Sequence, residues 1–121
     1  MGFDAFRHLM SISEILLQLK SDLEGVRSKR TLEVKSVRLK LSQIKHRLDI
    51  FPKERLQILA DVLTGVENWL EFLREEERYE DPETPITLKD ATRLLEDIEG
   101  WIDALNVAKS DDRILEGIFQ M

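Results

Sequence analysis

Residues 87–105 read TLKDATRLLEDIEGWIDAL, and this stretch decides the fold. Leu88, Ala91, Leu95, Ile98, Ile102 and Leu105 recur at intervals of three and four, the spacing of one face of an α-helix. Thr87 stands just before the first of them and Asp90 three residues on, a short-armed version of the capping box. Leu94 and Trp101 widen the apolar arc to about 140–160°, more than the seam of a two-stranded coiled coil. A helix with so broad an arc needs two neighbours.

Toward the N-terminus, Pro82 and Pro85 make residues 81–86 a short extended loop. Before that loop, Leu56, Leu59, Leu63, Val66, Leu70 and Leu73 repeat the stripe, widened by Ile58, Val62 and Trp69. They predict a helix over about 52–80, with Pro52 in the first turn, where its missing N–H costs nothing. Farther back, Leu9, Ile12, Leu16, Leu19, Leu23 and Val26 make one face, and Val34, Val37, Leu41, Ile44 and Leu48 make another. At 100° per residue the two faces share a phase, so one helix over about 4–49, bent near residues 28–31, keeps both inward. Gly25, Ser28, Thr31 and the inward phase of Arg30 argue for a break instead. Beyond the quoted stretch, Ser110 ahead of Asp111 and Asp112 predicts a short helix over about 111–119. The fold class expected is all-α: one domain over 1–121, an antiparallel helical bundle with a long N-terminal helix, two further amphipathic helices and a short C-terminal one.

The chain has 121 residues, 42% hydrophobic and 35% charged, enough for one modest core and too apolar for disorder. With no cysteine there is no disulfide framework, thiolate metal site or cysteine nucleophile. The longest strictly apolar runs, Ile15-Leu16-Leu17 and Ile58-Leu59-Ala60, are far short of a membrane span. Asp4, Arg7 and Glu14 interrupt any signal-like segment, and Phe6 stands where an acylation signal needs serine or threonine. These features lead us to expect a cytoplasmic protein with no membrane partner.

Charge is spread unevenly. Residues 27–47 carry Arg27, Lys29, Arg30, Lys35, Arg38, Lys40, Lys45 and Arg47 against Glu33 alone, a local +7 in a chain whose net charge is −6. Such a segment is a candidate basic patch for nucleic acid phosphates. On the wheel, however, the charges flank the apolar stripe on both sides, and no aromatics are interleaved to stack on bases. That arrangement fits a helix matched to acidic helices of its own bundle.

The acidic counterpart runs from Glu67 through Glu71, Glu75, Glu76, Glu77, Glu80 and Asp81 to Glu83, followed by Glu96, Asp97, Glu99 and Asp103. The E-x-x-E spacing at Glu96 and Glu99, Glu77 and Glu80, and Glu80 and Glu83 resembles in part the magnesium motifs of all-helical pyrophosphohydrolases of the MazG type. That resemblance implies a magnesium-dependent nucleotide hydrolase. The E-x-x-D partner motif is missing, and the resemblance extends over a helical turn or two. Arg74 and Arg78 among these acids fit a solvated helix face. His8 and His46 lie in no metal-binding pattern, and no nucleophile arrangement or phosphate loop is present. The residues therefore suggest no cofactor, metal or catalytic group. Trp69, Phe72, Tyr79 and Trp101 read as core or interface anchors.

One apolar feature is left over. Leu32, Leu39 and Ile50 form a second stripe about 150° from the core stripe, and Phe3, Phe6, Met10 and Leu17 extend it toward the N-terminus. A single helix of about 45 residues would be about 68 Å long, too long for two shorter helices to cover on both sides. The expectation is a homodimer acting as a non-enzymatic protein–protein interaction module (adaptor, regulator or inhibitor) with an unidentified protein partner. A nucleic-acid-binding regulator is the alternative, and the magnesium-dependent hydrolase the third reading.

Overall fold

The computed structural model describes residues 4–51, 57 and 59–110. Within them lie four α-helices: α1 (Ala5–Arg27), α2 (Val34–Asp49), α3 (Ala60–Glu75) and α4 (Leu88–Lys109), with a 3-10 turn at Glu77–Tyr79. The chain is an all-α helical bundle. α1 packs on α2 and α4, and α3 packs on the same two helices. The shared core takes Leu9, Leu16 and Leu23 from α1, Val37 and Ile44 from α2, Val66 and Leu73 from α3, and Leu94, Ile98 and Leu105 from α4. All are fully buried, on the stripes that the three- and four-residue spacing marks out.

The long N-terminal helix expected over 4–49 is two helices. α1 ends in a Schellman motif: the Arg30 N–H donates to the Gly25 carbonyl at 2.8 Å, and the Lys29 N–H donates to Val26 at 3.1 Å. Lys29 takes the left-handed conformation that this cap requires, with φ 68°. Glycine is the usual residue there, and a lysine in its place gives no local sign of a helix end. α2 then starts without a side-chain cap. Its first amides are taken instead by another loop: Val34 N–H donates to Thr84 O at 2.8 Å, and Lys35 N–H to Pro82 O at 2.9 Å. Ile86 N–H returns a bond to Leu32 O at 2.8 Å, and Glu33 pairs with Pro85 in an isolated β-bridge.

The helix expected over 52–80 stops at Glu75. Glu76 is extended, with φ −73° and ψ 120°. Three consecutive glutamates at a helix C-terminus oppose the negative end of its dipole. Arg38, reaching across from α2, answers that end by donating to the carbonyls of Leu73 and Tyr79. The start expected at Pro52 and the short helix expected over 111–119 lie outside the described residues. Ser110, expected to open that last helix, is the C-cap of α4, its Oγ donating to Val107 O at 3.2 Å.

Candidate functional site

Of the apolar residues expected to form one exposed stripe, Phe3 lies outside the described residues. Phe6, Met10 and Leu17 are 49%, 41% and 54% exposed, and Leu39 is 60% exposed. Leu32 is not part of that surface; it is half-buried against the core, with its carbonyl bonded to Ile86. Because the helix breaks at residues 28–33, the remaining residues form two patches. Asp22, paired with Lys40 at 3.0 Å, and Ile15, which lines a groove with Ser42 and His46, mark the side of α1 turned toward α2. Phe6, Met10 and Leu17 lie about 120–180° around the helix from both. Leu39 and Ile50 share the outer face of α2, nearly opposite Val37 and Ile44.

Half of the cations of the basic segment, Lys35, Arg38, Lys40 and Lys45, are engaged within the chain. Lys40 meets Asp22, and Lys45 bonds Asp49 at 2.8 Å with Glu67 at 4.0 Å. Lys35 meets Glu33 at 3.2 Å and Glu83 at 3.7 Å. The hydrogen bond to Glu33 raises the Lys35 pKa above its ordinary value, with the charges of Glu33 and Glu83 adding to it. The hydrogen bond to Asp49 does the same for Lys45. Arg38 caps α3. Arg27, Lys29 and Arg30, at the α1–α2 turn, are exposed and make no ion pair among the described residues; nor does Arg47. Of the eight cations of the segment, three thus stand at the α1–α2 turn and five are spread around α2.

The acidic residues do not gather into a metal site: among the described residues no group of three or more His, Asp or Glu is placed to hold an ion. Glu96 and Glu99, the helical E-x-x-E pair on α4, are both exposed.

A polar cluster that sequence reasoning did not single out sits where α3 hands over to α4. Asp90 is 1% exposed. The Tyr79 hydroxyl, fully buried, donates to Asp90 Oδ2 at 2.5 Å and accepts from the Thr87 N–H at 3.1 Å. Thr87 Oγ1 in turn accepts from the Asp90 N–H at 3.1 Å. In a capping box the acidic side chain would reach back to the cap's own N–H. Here aspartate is too short, and the Tyr79 hydroxyl relays the bond. Burial, and then the hydrogen bond to Asp90, push the Tyr79 pKa up. Arg78 approaches Asp90 Oδ2 at 3.4 Å and stacks over the Tyr79 ring at 5.5 Å. Arg93 stands 3.9 Å from Oδ1, an oxygen with no hydrogen-bond partner. The T-x-x-D spacing was the visible trace of this cluster; the tyrosine eight residues upstream of Thr87 was not.

From this cluster an aromatic file runs along the α3–α4 seam. Tyr79 meets Phe72 edge to face at 6.4 Å, and Phe72 meets Trp69 at 5.5 Å. Trp69 Nε1 donates to Asp97 Oδ2 at 2.6 Å. Gly65 admits the Trp101 indole against the α3 backbone, where an added Cβ would come within 2.8 Å of it.

No described helix is long and apolar enough to cross a membrane. Compared with models of protein families, with curated proteins and with solved structures, the chain matches none.

Proposed function

We propose that the chain is a non-enzymatic protein–protein interaction module that works as a helical homodimer, with the outer face of α1 as its contact surface. One observation carries this reading. Phe6, Met10 and Leu17, three large apolar side chains at helical spacing, remain about half exposed and face away from both the core and α2. Scattered apolar residues need no explanation, but a run of three on one face is the pattern of a contact surface. A two-fold pairing of the same face on two copies is the commonest way to cover it.

The test is the solution mass of the parent and of Phe6→Glu combined with Leu17→Glu. The parent is expected to sediment as a dimer, and the double variant as a folded, helical monomer. Val37→Glu, on the buried face of α2, is the control; it places an unpaired charge in the core and unfolds the chain. A parent that stays monomeric at about 100 μM, far above the dissociation constant of a modest interface, would overturn the reading.

A second reading, a nucleic-acid-binding regulator, draws on Arg27, Lys29 and Arg30, which make no ion pair among the described residues at the α1–α2 turn. Three phosphate contacts predict weak binding with a shallow salt dependence, a slope of log K on log salt of about −2.7. Weak binding of the parent to duplex or single-stranded nucleic acid with that slope, lost on replacing Arg27, Lys29 and Arg30 by Gln, would favour this reading over the first.

A further inference from the structure

Phe6, Met10, Ser13 and Leu17 follow one another along α1 at intervals of four, three and four, the spacing of a coiled-coil seam. Three of them are exposed, and Ser13, small and 9% exposed, is the floor between Met10 and Leu17. Arg7 and Glu14 stand together on one flank, about 60–80° around the helix from the mean direction of Phe6, Met10 and Leu17. Both are exposed, and neither side chain makes an ion pair among the described residues. Met10, Ser11, Leu17 and Gln18, one turn to either side of Glu14, include no cation. The acid one turn from Arg7 is Asp4, and it serves as the N-cap, accepting from the Arg7 backbone N–H at 3.0 Å.

We propose that a second copy of the chain covers this face in antiparallel orientation, α1 against α1, and that Arg7 and Glu14 select that orientation by pairing across the two-fold axis. This rests on the homodimer reading and adds to it the direction of the partner and the residues that set it.

Intervals of four, three and four read the same in both directions. A reversed copy centred between residues 11 and 12 therefore sets Phe6 opposite Leu17 and Met10 opposite Ser13. The longer side chain of Met10 enters the space that serine leaves, so large meets small across the seam. In this register Arg7 and Glu14 of the second copy lie on the same flank, offset by about 3 Å along the axis, and the symmetry makes the pair twice. Charges flanking a seam set the orientation of coiled helices in this way.

The alternatives lose these contacts. Parallel copies put each residue at the height of its twin, with Arg7 beside Arg7, Glu14 beside Glu14, and serine against serine in the middle of the seam. An antiparallel register shifted by one heptad sets Phe6 against Glu24 and Met10 against Lys20. The opposite shift carries Leu17 past the start of α1 at Ala5.

Sedimentation equilibrium on the full chain at low salt, where exposed charges are least screened, tests the pairing. Arg7→Glu alone and Glu14→Arg alone each place like charges in both pairs. Each is expected to weaken the dimer about tenfold with helical circular dichroism unchanged. The two changes combined restore opposite charges and should return the dissociation constant to within about twofold of the parent. The chain has no cysteine, so a spin label on Glu24→Cys reports one distance in the dimer. Antiparallel copies hold the two labels about 38 Å apart along the axis, whereas parallel ones hold them side by side, with about 10 Å between helix axes. A dimer indifferent to the single substitutions, a double variant no tighter than the singles, or a short label distance would each overturn the antiparallel pairing and leave the homodimer standing. A monomeric parent would overturn the homodimer reading itself, and the pairing with it.

Discussion

Residues 28–33 and 76–87 each carry the chain between two helices, meet at one end of the bundle, and are held by different means. The second junction is built from its own side chains: Tyr79, Thr87 and Asp90 bond one another, Arg78 and Arg93 flank them, and Pro82 and Pro85 fix the backbone between. The first junction has no such set. It ends α1 with backbone bonds alone and starts α2 on carbonyls belonging to the second junction. One turn carries a side-chain cluster of its own and the other does not, while backbone bonds and Arg38 tie each to the other's side. A helix terminus has orphan amides whether or not its own sequence provides for them, and any nearby carbonyl can serve.

The largest expected effect comes from breaking the side-chain cluster of the second junction. Asp90→Ala leaves the buried Tyr79 hydroxyl without its acceptor and removes the charge that Arg78 and Arg93 approach. A cost of about 2–3 kcal/mol is expected in urea denaturation, and the loss falls on both junctions because the first leans on the second. Asp90→Asn keeps an acceptor oxygen and should cost about half as much.

A second effect appears in alkali. The Tyr79 pKa is raised in the folded state, by burial first and by Asp90 second. A group whose folded pKa exceeds its unfolded one stabilises the fold fully below the unfolded value and loses that contribution as pH rises through the folded one. The window therefore opens above the ordinary tyrosine value of 10.0. Tyr79 is the only tyrosine, so tyrosinate absorbance reports it alone. Absorbance and loss of helical circular dichroism should rise together above that pH; titration at the ordinary value with the helices intact would show the phenol free of the cluster.

The smallest effect is a gain. Lys29→Gly relieves the left-handed strain at the first junction and should raise stability by about 0.5–1 kcal/mol, read as a shift in the urea midpoint with the slope unchanged. A loss instead would mean that the lysine side chain itself secures the turn.

The same contrast explains what could be read in the amino-acid sequence. The second junction was legible because prolines and a T-x-x-D spacing are local signals. The first was legible only in part: Gly25, Ser28, Thr31 and the inward phase of Arg30 pointed to a break, but Lys29 occupies a position where glycine would have advertised a helix end, and no cap residue precedes Val34. The coincidence in phase between the two apolar faces of residues 9–26 and 34–48 then favoured one helix over two. Core positions such as Leu16, Val37 and Ile98 followed from periodicity, because burial requires only that a stripe recur. The site residues were harder to find. Phe6, Met10 and Leu17 stand out by their wheel angle, but Leu32 shares that angle only if the helix is unbroken. Asp90 looked like a simple cap, since nothing local links it to Tyr79.

The bridge between Glu33 and Pro85 joins positions 52 residues apart in the chain. The first turn of α2 is thus completed by a segment synthesised well after it, and the pairing of α1 with α2 has no finished start until α3 and α4 have turned. In kinetic terms the molecule carries a non-local contact of the sort that slows folding, at the point where a plain helical hairpin would have none. In return, the two halves of the bundle share backbone bonds, so opening the α3–α4 turn strips α2 of its leading hydrogen bonds.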